Sequence, residues 1–192
     1  MAYPTVSAPY GLKPINRVDG MPYAGAIRQI PVASGYATAI CNGDTVKISD
    51  GYIVADTGTN NATPCGVLVG CQYVNSSGQT VQGQYYPAAA SNAIAYVVDD
   101  PMAAFKVAVV SGTTTIAAVA RTVVGSNMAL VQNTGSTTTG DSAVAVLSTS
   151  SSTTNTLPVR VIDVVPDTAT SSGYVELIVK INTHQYNSTT GV

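Results

Sequence analysis

The sequence predicts an all-β protein, a sandwich or barrel of short antiparallel strands with an extended proline-rich N-terminal arm and at most one short helix. Short apolar runs alternate along the chain with Gly, Asn and Asp, which favour turns. The chain has no tryptophan and one phenylalanine, Phe105, so its core depends on Val, Ile, Leu, Ala and Tyr. β-Branched residues suit a pleated strand and are stiff in a helix. A length of 192 residues fits one domain.

Residues 1–25 are predicted to form the arm, and residues 26–192 the β-rich domain. Prolines recur through the arm at Pro4, Pro9, Pro14 and Pro22. Proline at this density blocks helices and central strands. The predicted interface residues of the arm are Tyr3, Pro4, Tyr10, Leu12, Pro14, Ile15, Met21 and Tyr23. Two alternatives stay open, because such an arm either lies in a groove of another chain or wraps its own domain.

Six segments are predicted as strands in the first half of the domain. They are residues 27–32, 45–48, 52–54, 66–71, 85–87 and 94–98. Asn42-Gly43 and Asp50-Gly51 are typical of two-residue hairpin turns. The segment 66–71 is continuously apolar and flanked by glycine, which indicates a strand buried on both faces.

The second half is predicted to hold four strands, at residues 105–110, 143–147, 157–165 and 174–181. Asp100 is expected to cap one turn that begins at Pro101. Residues 115–124 are predicted as the one short helix, with a strand as the alternative because the segment is rich in Thr and Val. The Ser/Thr/Gly-rich stretches within 111–156 predict either a second lobe or long loops.

Charged residues are unusually rare, at 9% of the chain against about 25% in an ordinary domain. Two explanations fit this composition. The solvated surface is rich in Ser, Thr, Asn and Gly, or much of it is buried against other chains, because interface cores are depleted of charge. No cluster of Lys and Arg is available to neutralise phosphates, which argues against nucleic acid as a partner.

No catalytic, cofactor or metal site is predicted, so the chain is not expected to be an enzyme. His184 is the only histidine, and no Gly-x-Ser-x-Gly, Cys/His cluster or His-x-x-x-His accompanies it. Asp99 and Asp100 would point to opposite faces of a strand and could not act as a catalytic pair. His184 and Tyr186 are instead predicted as C-terminal interface residues.

The three cysteines, Cys41, Cys65 and Cys71, are expected to be small buried hydrophobic residues, since an odd number without Cys-x-x-Cys does not suggest a disulfide framework. The N-terminus shows no basic start followed by an apolar run, so a secretory signal is not expected. No apolar stretch is long enough to predict a membrane span.

Six segments together resemble small structural proteins of tailed bacteriophages, of the kind that act as capsid decoration or cement proteins. The segments are Tyr10-Gly11-Leu12-Lys13-Pro14, residues 28–36, Asn42-Gly43-Asp44-Thr45-Val46-Lys47, residues 64–70, Tyr96-Val97-Val98-Asp99-Asp100-Pro101 and residues 176–184. The resemblance implies a homotrimer made in the host cytoplasm. It would bind the major capsid protein on the outer surface of the virion head and have no cofactor and no membrane partner. The alternatives are a tail, neck or fibre-associated virion protein, or a polysaccharide or cell-surface binding module that would use Tyr85 and Tyr86.

Overall fold

A computed structural model describes residues 6–23, 26–169, 173–189 and 191. The described residues form thirteen strands in two sheets, and their helical content is limited to three-residue 3-10 turns, so the all-β prediction is confirmed. The strands are β1 (Lys13–Arg17), β2 (Ile27–Pro31), β3 (Thr45–Ser49), β4 (Tyr52–Ala55), β5 (Gly66–Val74), β6 (Thr80–Gly83), β7 (Ser91–Val98), β8 (Ala103–Val110), β9 (Asn127–Met128), β10 (Leu130–Val131), β11 (Ala145–Leu147), β12 (Val159–Val164) and β13 (Glu176–Ile181). No helix within these described ranges is long and apolar enough to cross a membrane.

The larger sheet has the order β10-β11-β8-β13-β12-β9, and β1 also pairs with β8. Strand β8 lies at its centre. Strand β13 pairs antiparallel with residues 104–108 of β8. The other edge of β8 is shared, because β1 pairs antiparallel with residues 103–106 and β11 pairs parallel with Val109 and Val110. One central strand thus joins three segments that are far apart in the sequence.

The smaller sheet has the order β2-β7-β5-β3-β4, with β6 on the free part of the β5 edge. A parallel bridge between Val32, just after β2, and Ile53 in β4 brings the two ends of this sheet together, so it closes like a small barrel. Asp50 and Gly51 have φ angles of 49° and 83° and connect β3 to β4, as a two-residue hairpin turn requires. Asn42-Gly43 also forms a turn, but that turn precedes β3 and does not join two paired strands.

Two apolar clusters form the core, and β5 and β7 contribute to both of them. Val67 and Val98 lie in the cluster of the larger sheet, whereas Leu68 and Val97 lie in that of the smaller sheet. The two strands are therefore buried on both faces over these residues. This confirms the prediction for the apolar run at 66–71.

The N-terminal segment lies on its own domain over residues 10–17, which is the second of the two alternatives for the arm. Leu12 is completely buried in the core beside the larger sheet, and β1 is a strand of that sheet. Leu12 is therefore not available to a partner, and residue 25 does not mark the start of the β domain. Pro14 and Ile15 are half-buried in β1, and Tyr10 is half-buried with its hydroxyl donating to the carboxylate of Glu176. Tyr3 and Pro4 lie outside the described residues.

Two local predictions are corrected, and one open alternative is decided. Residues 115–124 form no α-helix and no regular strand, and only Arg121–Val123 make a 3-10 turn. The backbone before that turn is used in pairing: Ala117 N–H donates to Val109 O, and Ala117 O accepts from Val175 N–H. Tyr86 makes only an isolated bridge with Ile40 instead of a strand over 85–87. The segment 111–156 is no second lobe, because its short strands β9, β10 and β11 belong to the larger sheet.

The three cysteines are buried and unpaired, as expected. Burial raises the pKa of the Cys41 and Cys71 thiols to about 11 and that of Cys65 to about 12, so all three stay protonated and unreactive near neutral pH. We expect no reaction of the folded protein with Ellman's reagent at pH 8 and reaction of all three thiols in denaturant. A Ser111→Cys variant, whose thiol would be exposed, provides the reactive control. Rapid labelling of the folded wild type would contradict the burial.

Candidate functional site

A turn between β7 and β8 organises the surface that is the best candidate for binding. The Asp100 carboxylate accepts a hydrogen bond from Met102 N–H at 2.7 Å, and the Asp100 carbonyl accepts one from Ala103 N–H at 2.9 Å. Asp100 therefore caps a turn at Pro101, as predicted, although the chain continues directly into β8. The turn is rigid because both of its ends continue into paired strands.

A cleft of about 430 Å³ lies beside this turn, and we call it the β7–β8 cleft. Its lining residues are Arg17, Pro22, Ala26, Asp99, Asp100 and Pro101. Backbone hydrogen bonds hold its walls together. Arg17 N–H donates to Met21 O and Val18 N–H donates to Met102 O, each at 2.8 Å. The cleft is therefore built from segments that are fixed to one another.

Several exposed apolar side chains belong to residues next to those that line the β7–β8 cleft. Among the described residues, six large hydrophobic side chains are exposed, and five of them directly adjoin the lining of the cleft. These five, which we call the apolar rim, are Val18, Met21, Ile27, Met102 and Tyr186. The first four neighbour a lining residue along the chain, and the Tyr186 hydroxyl donates to the Asp99 carboxylate at 2.9 Å. The sixth, Tyr52, lies at the β3–β4 turn. Clustering of this kind marks interaction surfaces.

The charged groups of the cleft are paired with one another. Arg17 Nε lies 3.1 Å from an oxygen of Asp100, and Arg28 Nε lies 2.8 Å from an oxygen of Asp99. The Arg28 guanidinium also lies over the Tyr186 ring, 5.2 Å from its centroid. Burial raises the pKa of Asp99, and the nearby Arg28 acts against that shift. With its charges compensated in this way, the surface favours an uncharged, apolar partner.

The C-terminal turn that carries Tyr186 is anchored to the smaller sheet. The side-chain amide of Gln185 donates to Ile48 O at 3.0 Å and accepts from Ile48 N–H at 2.8 Å, so it occupies the place of a neighbouring strand. Gln185 N–H donates to Pro64 O, and the Thr183 hydroxyl donates to Ala62 O. Tyr186 is therefore held in a fixed position at the rim.

His184 is buried and packs against Tyr186 of the apolar rim, so it is not part of the exposed surface. Its side chain is only 1% exposed, which corrects its prediction as an interface residue. Its ring centroid lies 5.0 Å from that of Tyr186, and its Nδ1 accepts a hydrogen bond from Tyr186 N–H. The remaining proton of the neutral ring is therefore on Nε2.

We expect His184 to make the protein less stable in mild acid. Burial lowers its pKa from 6.5 to about 4, while Asp100 and backbone groups of Cys65 and Asp99 act in the opposite direction. The folded state binds this proton more weakly than the unfolded state does. The contribution of neutral His184 to the free energy of unfolding is therefore fully present above pH 6.5 and is lost as pH falls towards 4. The loss amounts to up to about 3 kcal/mol.

Urea unfolding of wild type and His184→Asn between those pH values checks this expectation. Asparagine can still accept the Tyr186 N–H but does not titrate. The variant should lose less stability over this pH interval. Equal slopes for the two proteins would show that His184 does not titrate as expected.

Only some of the residues predicted for the N-terminal and C-terminal interfaces lie at the cleft. Met21 and Tyr186 lie in the apolar rim, and Tyr23 is half-buried against the core. Tyr10, Pro14 and Ile15 precede the cleft along the N-terminal segment and do not line it. Sequence reasoning missed Val18, Ile27 and Met102. Only Met102, an apolar residue in a predicted turn, gave a signal of its own.

Another, smaller cavity is lined by residues around β3 and β4 and by the loop after β10, and several of its polar groups are bonded to one another. Asp56 accepts hydrogen bonds from Gly58 N–H and Thr63 N–H, and the Gln132 amide donates to the Thr45 hydroxyl and to Gly58 O. These groups fix the surrounding loops. Within the described ranges, no group of three or more His, Cys, Asp or Glu side chains is placed to hold a metal ion.

Comparisons with protein-family models, curated proteins and solved structures give no match to the chain. The resemblance to capsid decoration proteins gains no support from these comparisons, and the role that it implies stays a prediction.

Proposed function

We propose that the chain is a non-catalytic virion structural protein, a decoration protein that binds the outside of a tailed-phage head and stabilises the contacts between capsomers. The observation that carries the proposal is the apolar rim around a cleft whose charges are already paired. Methionine, tyrosine and arginine are enriched in protein interfaces, and the rim and its cleft contain all three. The partner would be the major capsid protein.

Low charge suits a protein that packs in many copies on one shell. The net charge of the chain is -2, so neighbouring copies repel one another weakly. Each contact gains stability mainly from apolar area, at about 25 cal/mol per Å². A homotrimer would combine several such contacts through effective concentration. Binding should therefore depend little on salt, changing less than about threefold between about 50 and 500 mM NaCl.

The test is binding to purified capsids, measured as copies per major capsid protein by quantitative mass spectrometry. We expect a fixed stoichiometry that matches lattice sites for the wild type, and at least about tenfold weaker binding for Met21→Asp/Met102→Asp, since two charges would be buried against an apolar surface. Tyr52→Asp, at the exposed hydrophobic residue away from the cleft, is the matched control. Normal binding by the folded double variant would contradict the role of the rim.

Copy number also tests the alternative location in the virion. A few copies per particle would indicate a tail, neck or fibre-associated protein instead of a decoration protein. Complete absence from particles would exclude both virion roles.

A further inference from the structure

The longest uncharged part of the chain forms one region of the structure. No Asp, Glu, Lys or Arg occurs from Thr57 through Val98, a stretch that contains β5, β6 and β7 in full. Surface in this region therefore presents amides, hydroxyls, tyrosines and small apolar groups. Exposed or half-exposed members include Gln72, Tyr73, Gln82, Tyr85 and Tyr96.

Another open cleft, of about 290 Å³, lies within this region, and we call it the distal cleft. It is lined by Tyr73, Val74, Asn75 and Ser76 at the end of β5 and by residues 87–91 before and at the start of β7. The β7–β8 cleft lies beyond the opposite end of β7. An eight-residue strand separates the two by about 24 Å. A partner bound at one end would leave the other end free.

The walls of the distal cleft are held in place from behind. Tyr86 is fully buried, and its hydroxyl donates towards the carbonyl oxygens of both Tyr36 and Ala90. Ala89 N–H donates to Tyr36 O at 2.8 Å and Ala89 has a φ angle of 62°, a left-handed conformation that a residue with a Cβ rarely adopts. Such strain persists only where the surroundings fix it, and it is concentrated at ligand sites.

The Tyr73 ring is placed to form one side of the cleft. Gly83 lies against it, and a Cβ added at Gly83 would be 3.3 Å from Tyr73 Cε1. The hydroxyls of Tyr73, Ser76 and Ser91 are the polar side-chain groups that the cleft can offer, since the Asn75 amide is engaged with Ser77 and Gln79 in its own turn. The methyl groups of residues 88–90 add apolar surface to this lining.

We propose that the distal cleft binds neutral carbohydrate. A tyrosine ring and methyl groups can contact the apolar faces of a sugar, while hydroxyls and backbone groups bond to its hydroxyls. The lining holds no charged side chain, so a uronic acid, sulfated or phosphorylated sugar would lose hydration without gaining an ionic partner. Tyr73 replaces Tyr86, which the sequence had suggested for such a surface but which is fully buried.

The experiment is an NMR titration of the isotopically labelled full chain in the absence of capsids, so its outcome does not depend on the proposed shell binding. The probes are maltohexaose, cellohexaose and laminarihexaose, each to about 10 mM, with trigalacturonic acid as the charged comparison. We expect saturable shifts of the amide signals of Tyr73, Ser76 and residues 88–91 with at least one neutral probe, and none with trigalacturonic acid.

A charge placed in the cleft should weaken this binding. Ala88→Asp changes an exposed lining residue without opening a cavity and should weaken binding at least about tenfold. Ala169→Asp, at an exposed alanine in the turn after β12, is the matched control and should bind normally. Absence of binding by all three neutral probes, equal binding of the charged probe, or unchanged binding by a folded Ala88→Asp protein would each overturn the proposal.

Discussion

Replacing Gly11 with alanine should destabilise the folded protein by about 3–5 kcal/mol, because two separate costs add at this position. Gly11 has a φ angle of 79°, which disfavours any residue with a Cβ. The added Cβ would also lie 2.5 Å from Ser142 Cβ and 2.9 Å from Gly43 Cα. Neither neighbour can move freely, since Leu12 N–H donates to Gly43 O and Ser142 N–H donates to Asn42 O. Urea unfolding measures the loss.

Gly20→Ala is the matched control for the conformational cost alone. Gly20 has nearly the same φ angle, 82°, but a Cβ added there would meet no atom within 4 Å. Its substitution should cost about 1–2 kcal/mol. If the two alanine variants lost equal stability, the close contact between Gly11, Gly43 and Ser142 would not exist as described.

Leu12→Ala should cost about 2–5 kcal/mol, the usual range for removing a buried leucine side chain. Leu12 is fully buried and belongs to the same apolar cluster as Phe105 in β8. Its removal would leave a cavity under β1 that the surrounding strands cannot fill without losing their register. Thermal or urea unfolding at neutral pH is the measurement.

In contrast to Leu12→Ala, Met21→Ala should affect capsid binding and leave stability almost unchanged. Met21 is 59% exposed, so its truncation should change stability by no more than about 0.5 kcal/mol while weakening capsid binding. The pair thus separates a structural part of the N-terminal segment from a binding part. Unchanged stability of Leu12→Ala would mean that the segment does not complete the core.

Local signals were sufficient for the β3–β4 hairpin of the smaller sheet. Alternating apolar residues followed by Asp50-Gly51 placed β3 and β4 correctly, since hairpin pairing depends on residues that are adjacent in sequence. β1 was predicted as an arm because Pro14 argues against a central strand. The strand tolerates this proline because it lies at a sheet edge, pairs with β8 alone among the described strands and has an irregularity between Pro14 and Asn16. Its partner lies about ninety residues away, which no local pattern reveals.

The candidate surface was predictable only in part for a similar reason. Met21 and Tyr186 were named because they are apolar residues in polar or proline-rich surroundings, and both are exposed. Ile27 was expected to be an ordinary strand residue, and its exposure depends on the position of β2 at one end of the smaller sheet. His184 was expected at an interface because no catalytic or metal-binding motif accompanies it, but its ring is buried against Tyr186, and Gln185 beside it is anchored on Ile48.

The pairing of β8 with β13 also determines when the two sheets can be completed during synthesis. All strands of the smaller sheet come from residues 27–98, so they can pair before the rest of the chain has been made. The larger sheet cannot be completed before residue 181, because β13 is its last strand and pairs with β8. Until then the apolar strand β8 has one edge unpaired, and such edges attract other chains. The last steps of translation are therefore those at which aggregation competes most strongly with folding.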